Sequence, residues 1–258
     1  MALPPYAPPA LLWRCHTPRP YGDTIMPGST FDASQIQCIG FDADDTLWQN
    51  ELFYLQTERD FKDLLLDIMD EDMLSRILFK TESDNMELLG YGAKAMTISM
   101  IQMAISINPD IAPSKIMQII DIGKRLLKVP TQMLPGVVEV FEYLKTRPYR
   151  IIIITKGELN EQTRKFVNSP LDQSIDYFVL PDKKLQTYQT LFRRERIDPA
   201  SFLMVGNSPK SDVLPPLELG AFAAHVPFHT TWAHEDVPLP DHPKLLRLQS
   251  ISQLMDYV

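Results

Sequence analysis

Residues 151–154 are four consecutive isoleucines, and this run constrains the fold more than any other feature. Successive side chains of a strand point to opposite faces, so a strand with one wet face alternates apolar and polar residues. An unbroken β-branched run is apolar on both faces. It reads as a strand of a parallel sheet covered by helices on each side. The surrounding sequence supplies those helices. Residues 136–145, about 161–168, 185–195 and 212–219 read as helices, and 177–180, 202–205 and 221–226 read as strands. A last helix is expected near 251–257. Strand and helix alternate, which predicts a doubly wound, Rossmann-like α/β core.

A single further strand, 36–41, precedes this alternation. Between it and residue 131 the pattern is helical throughout, with apolar residues at helical spacing such as Leu52, Leu55, Phe61, Leu65 and, later, Met96, Met100 and Met103. Asn108-Pro109-Asp110 breaks the later helices, and Pro113 opens the next. The helical block therefore reads as an insertion. The expected division is a core of 35–50 and 131–258, a helical insertion of 51–130, and a loosely packed tail of 1–34. Pro4, Pro5, Pro8, Pro9, Pro18, Pro20 and Pro27 resist helix and sheet in that tail, and Met26 is a candidate translation start.

The formal charge of −8 disfavours nucleic acid and anionic membranes as partners. No apolar stretch is long enough to span a bilayer, and no secretory signal is evident at the N-terminus. Cys15 and Cys38 form no disulfide framework and no zinc motif, which predicts a cytoplasmic setting with Cys38 packed as a small apolar residue. His225, His229 and His234 cluster in sequence, but Pro227 breaks the helix that would align the first two. They read as solvent-facing or hydrogen-bonded loop histidines, not as a zinc site, with Trp232 anchoring the loop.

The chemistry concentrates at Asp42-Ala43-Asp44-Asp45-Thr46. Three carboxylates follow directly on an apolar strand, at the end of a parallel strand where ligands bind. Adjacent acids repel, so a divalent cation or a proton-transfer role explains the cluster; a solvated turn or a helix cap is the structural alternative. Asp42 and Asp44, two apart in an extended segment, can face one ligand. Thr155 ends the isoleucine strand with a hydroxyl, and the backbone N–H groups of Lys156 and Gly157 lie close by in sequence. Lys183 follows Asp182 just before a helix, with Lys184 as its neighbouring rival and Tyr188 five residues on favouring Lys183.

These segments resemble the signature motifs of the haloacid dehalogenase superfamily, in the superfamily's order. Asp42–Thr46 resembles DxDx[TV], Thr155 the second motif, Lys183 the third, and Val205-Gly206-Asn207-Ser208 with Asp212 the fourth. The resemblance covers about residue 36 to the C-terminus. It implies a magnesium-dependent phosphatase acting on a small phosphorylated metabolite. Asp42 would be the nucleophile, and Asp44 the general acid and base, a role that calls for a raised pKa. Thr155 and Lys183 would complete the catalytic set, with Thr46, Lys156 and Gly157 at the substrate. Magnesium would be held by Asp42, the Asp44 carbonyl, Asn207 and Asp212. The fourth motif departs from the commonest pattern, because Asn207 stands where many members have aspartate. Asp44 argues against a true dehalogenase, whose halide leaves without a proton. A phosphomutase, or a binding protein that has lost activity, remains an alternative. The helical insertion resembles the superfamily's cap, with 90–94 as the candidate specificity loop.

Overall fold

The computed structural model describes residues 31–229, 235 and 237–258. The proline-rich stretch up to residue 30, with Cys15 and Met26, lies outside the described residues, as do Trp232 and His234. Six strands form one sheet: β1 (Cys38–Phe41), β2 (Arg150–Lys156), β3 (Asp176–Leu180), β4 (Phe202–Gly206), β5 (Phe222–His225) and β6 (Leu245–Arg247). All pair in parallel, in the order β3-β2-β1-β4-β5-β6. The chain winds outward from β1 to β3, then returns to β4 on the other side of β1. That reversal opens a crevice at the carboxyl ends of β1 and β4.

The isoleucine run sits where its composition requires. Ile153, with Ile39 and Phe41, packs under Val140 and Phe141 of α5 (Val137–Leu144) and Phe166 of α6 (Leu159–Val167). Ile152 and Ile154 face the other way, toward Leu191 and Phe192 of α7 (Leu185–Glu195). Ile152, Ile153 and Ile154 are fully buried, each worth roughly 1.5–3 kcal/mol. Gly40 is small for a reason: a Cβ there would stand 2.5 Å from Cζ of the Phe202 ring.

Four helices fill the stretch between β1 and α5: α1 (Glu51–Asp63), α2 (Glu71–Leu89), α3 (Ala93–Ile107) and α4 (Pro113–Leu127). Asp70 caps α2 by accepting from Met73 N–H at 3.0 Å, and Pro113 opens α4 at its first turn. These helices have an apolar cluster of their own, built from Phe61, Leu65, Leu74, Met100, Ile119 and their neighbours. Among the described residues, no helix is long and apolar enough to cross a membrane.

The structure departs from the sequence expectations in small ways. β1 begins at Cys38 rather than residue 36, and β6 was not foreseen, being three residues without a periodic pattern. The last helix is a 3-10 turn, Ile251–Asp256. The helix expected at 212–219 is shorter, α8 (Leu214–Glu218), and a π turn, Pro209–Val213, precedes it. Pro215 and Pro216 have no N–H to give the carbonyls of Ser211 and Asp212, so the helical ladder cannot extend backward through them. The Ser211 carbonyl instead accepts from the Tyr188 hydroxyl at 3.1 Å.

Candidate active site

A cavity of about 180 Å³ lies at the carboxyl ends of the central strands. Asp42, Asp44, Thr155 and Lys183 all line it. Lys156, Gly157, Asn207 and Asp212 line it too, so residues spread over 170 positions of sequence meet at one place. Asp42 follows β1 directly, and its N–H bonds the Val205 carbonyl at 2.8 Å, which holds it level with the end of β4.

Lys183 is 4% exposed and sits between two carboxylates. Its ammonium contacts Asp42 Oδ1 closely and Asp212 Oδ1 at 2.8 Å. Lys184 points outward to Asp182, so Lys183 is the lysine that reaches the acidic cluster. Burial and the neighbouring Asp212 push the Asp42 carboxyl up, while Lys183 pulls it back. Burial works against the charge on Lys183, but Asp212 and Asp42 outweigh it and hold its pKa above the ordinary value. Gly206 lets Asp212 come this close: a Cβ at Gly206 would stand 2.4 Å from Asp212 Cγ. The other Asp212 oxygen accepts from Ser208 N–H at 3.0 Å.

Thr46 joins the first and fourth motifs. Its hydroxyl donates to Asp42 Oδ2 at 2.9 Å, accepts from Asn207 N–H at 3.1 Å, and lies 3.3 Å from Asn207 Oδ1. Asn207 is held from behind by His225, whose ring nitrogen lies 2.9 Å from the Asn207 carbonyl. Burial keeps that imidazole neutral, down to about 4. His225 is thus a hydrogen-bonded histidine, and His229 is exposed.

The three acids of the first motif divide their work. Asp44 accepts from Trp48 Nε1 at 2.7 Å, Gln162 Nε2 at 2.8 Å and Lys165 Nζ at 2.9 Å. Asp45 takes the helix-cap role, accepting from the N–H groups of Asn50 at 2.8 Å and Glu51 at 3.1 Å at the start of α1. Its backbone is left-handed at φ 61°, a conformation that aspartate tolerates better than most residues.

On the other rim, Thr155 is buried at the end of β2, and Gly157 N–H turns to the Leu180 carbonyl at 3.3 Å. Lys156 is tied to Glu235 and bonds Ser211 Oγ at 3.1 Å. Glu235 also meets Ser208 Oγ and, at 2.7 Å, Ser211 Oγ. Glu161 joins the helical block to α6: it accepts from the Tyr54 hydroxyl and from Ala93 N–H, each at 3.0 Å.

Gln162, Lys165, Glu161 and Glu235 were not singled out from the sequence. Glu161 and Lys165 are four apart on a helix, the spacing of an ordinary surface pair. Glu235 stands in a segment without periodic pattern. The one available signal was that α6 starts just past β2, so its first turns must border the crevice.

The oxygen groups suit magnesium. Asp42 Oδ2 and Asn207 Oδ1 both lie around the Thr46 hydroxyl, and magnesium takes hard oxygen ligands, commonly one or two carboxylates with water. Among the described residues, the four carboxylates of Asp42, Asp44, Asp212 and Glu235 are ion-paired with three ammonium groups, those of Lys183, Lys165 and Lys156, so a cation would relieve the excess charge. Among the described residues, no three acid or histidine side chains form a closed metal cage.

The family model for haloacid dehalogenase-like hydrolases matches residues 36–220. The chain belongs to the haloacid dehalogenase-like hydrolase family. A haloacid dehalogenase-like hydrolase from Xanthomonas campestris is 33% identical, covering 85% of this chain and 88% of its own, with a TM-score of 0.76. More distant members share the fold of this hydrolase. One described as a predicted phosphoglycolate phosphatase, from Haemophilus somnus, is 16% identical over 86% of this chain and 97% of its own, with a TM-score of 0.57. YfnB from Bacillus subtilis, solved bound to magnesium, is 14% identical over the same shares, with a TM-score of 0.59. Among curated proteins none matches the sequence.

Proposed function

We propose that this hydrolase is a magnesium-dependent phosphatase that cleaves a small phosphomonoester through an aspartyl-phosphate on Asp42. The observation that carries the reading is the pairing of carboxyls in the cavity. Asp42 is gripped by Lys183 and Thr46, and Asp44, two residues on, is held apart from it by Trp48, Gln162 and Lys165. In this reading Asp42 attacks phosphorus and Asp44 serves the leaving oxygen.

In the first step an Asp42 oxygen bonds to phosphorus as the bond to the leaving oxygen breaks. Asp44 gives that oxygen its proton. Both Asp44 oxygens accept hydrogen bonds, so the Lys165 contact must open for the carboxyl to hold a proton. In the second step Asp44 takes a proton from water as the water oxygen bonds to phosphorus. The Asp42–phosphorus bond breaks, and phosphate and the Asp42 carboxylate are restored. Lys183 offsets charge on Asp42 and the phosphoryl oxygens, and the Thr155 hydroxyl donates to one of those oxygens. Asp42, the Asp44 carbonyl and the Asn207 side-chain oxygen would hold magnesium, with Asp212 beside them directly or through water. The ion, when bound, neutralises phosphoryl oxygens and lowers the charge that Asp42 must approach. The helical block, residues 51–130, acts as the cap that excludes water and contacts the leaving group.

The test is release of inorganic phosphate from p-nitrophenyl phosphate and a panel of phosphorylated metabolites, with magnesium and with chelator, by wild type and Asp42→Asn. Release that needs magnesium and disappears in the variant is expected. Equal release by Asp42→Asn sinks the aspartyl-phosphate. Turnover only with added sugar bisphosphate, without free phosphate, assigns a mutase instead.

A further inference from the structure

The cavity reaches past the strand ends to a second end formed by the helical block, residues 51–130. Glu51, Glu82, Asn85, Ser99 and Tyr54 line it, and among the described residues the only lysines lining the cavity, Lys156 and Lys183, belong to the strand end. Glu51 is 7% exposed, and its Oε1 has no hydrogen-bond partner although it is shielded from bulk water. An unmet buried carboxylate oxygen is costly and calls for a reason. Glu82, partly buried, enters no ion pair among the described residues. The nearby cation, Lys62, is already taken by Glu58 at 3.2 Å, Glu71 at 3.1 Å and Ser75 at 3.0 Å.

Asn85 adds to the imbalance. Its amide nitrogen is spent on Ser99 Oγ at 3.0 Å and Gln102 Oε1 at 2.8 Å, which leaves its carbonyl oxygen as an acceptor. This end of the cavity therefore offers acceptors, and carboxyls with no cation paired to them among the described residues. Burial pushes Glu51 well up, with Asp45 and then Glu82 adding repulsion, and burial followed by Glu58 pushes Glu82 up to about 8. Among the described residues, no three acids or histidines gather closely enough here for a metal ion.

We propose that the substrate is a phosphomonoester bearing a basic amine, whose ammonium group is received by Glu51 and Glu82 while its phosphate meets Asp42 and Lys183. An ammonium has three donors, no acceptor and a positive charge, which matches the unmet Glu51 oxygen, the Glu82 carboxyl without an ion pair among the described residues, and the Asn85 carbonyl oxygen. A polyol could donate to the same oxygens but would bring no charge to offset the two carboxylates. The reading rests on the phosphatase assignment and adds the substrate class to it.

The experiment compares matched esters that differ only in the amine: 2-aminoethyl against 2-hydroxyethyl phosphate, the three- and four-carbon homologues, and glucosamine 6-phosphate against glucose 6-phosphate. Wild type is expected to favour at least one amine ester over its hydroxyl partner by about tenfold or more in kcat/KM. That ratio is expected to fall toward one in Glu51→Gln and in Glu82→Gln, two isosteric variants that remove charge at different helices. Ratios near one for every pair in wild type, with p-nitrophenyl phosphate hydrolysed, overturn the amine and leave the phosphatase standing. If wild type hydrolyses no ester, the phosphatase reading falls. Calorimetric binding of the same pairs to wild type then decides the amine: tighter binding of an amine ester, weakened in Glu51→Gln, upholds it, and equal binding overturns it.

Discussion

At the strand end of the cavity each carboxylate has a partner, whereas at the helical end two carboxyls have no cation paired to them among the described residues. Asp42 and Asp212 share Lys183, Asp44 has Lys165, and Glu235 has Lys156. Glu51 keeps an oxygen with no hydrogen bond, and Glu82 forms no ion pair among the described residues. The strand end holds its reacting carboxylates in fixed pairs with lysines before any ligand arrives, as electrostatic preorganisation requires of reacting groups. The helical end is incomplete, which is the state of a recognition site whose missing partner is the ligand. The difference separates the residues that would perform the reaction from those that would choose its substrate.

The sharpest way to break this contrast is to unbalance the strand end. Lys183→Met leaves Asp42 and Asp212 buried beside each other without a cation. Breaking a buried pair in this way costs about 3–5 kcal/mol, so urea denaturation should reveal a large loss of stability together with loss of activity. A variant as stable as wild type means that the lysine does not hold the strand end. Gly206→Ala reaches the same cluster through its backbone: the new methyl meets Asp212, and overpacking of this kind costs about 1–3 kcal/mol. Thermal melting and phosphate release on that variant measure the displacement.

The link between the two ends is the next target. Glu161→Ala leaves the Tyr54 hydroxyl and Ala93 N–H without their acceptor, and an unmet buried donor costs about 1–3 kcal/mol. Hydrogen exchange should rise in α1 and the start of α3 and stay unchanged in β1 and β4. Uniform exchange across the molecule would remove Glu161 as the connector. The smallest effect is at the helical end itself. Glu82 is faced by Glu58, which Lys62 partly neutralises, and by Glu51. Its folded value near 8 lies above the ordinary 4.5, so the folded state holds a proton that the unfolded state releases. Its contribution to stability is therefore complete below pH 4.5 and is lost as pH rises toward 8. Glu82→Gln should flatten that slope by roughly 1–3 °C in Tm, read from melting curves across the same range.

The sequence is more informative about the strand end than about the helical end, and geometry explains why. Asp42, Thr155 and Asn207 stand at or just beyond the ends of strands that hydrophobic runs make visible, and parallel pairing brings those ends together. Lys183 precedes a helix whose Tyr188 sets the register. Glu51 and Glu82 lie on different helices, 31 positions apart, and their proximity depends on how α1 packs against α2. No spacing rule within one element encodes that. Lys165 and Gln162 were hidden for a related reason, because the helix surface they occupy faces the cavity and not water. The helix expected at 212–219 misjudged the prolines, which permit a helix start but refuse its extension backward.

Those prolines bear on conformational entropy. Pro215 and Pro216 fix two φ angles in the unfolded chain as well as in the folded one, so ordering this segment forfeits less freedom than ordering a flexible loop would. The turn from Ser208 to Val213 therefore ends against a stretch that is already stiff. Asp212 is brought to Lys183 by a segment with few alternative conformations to lose.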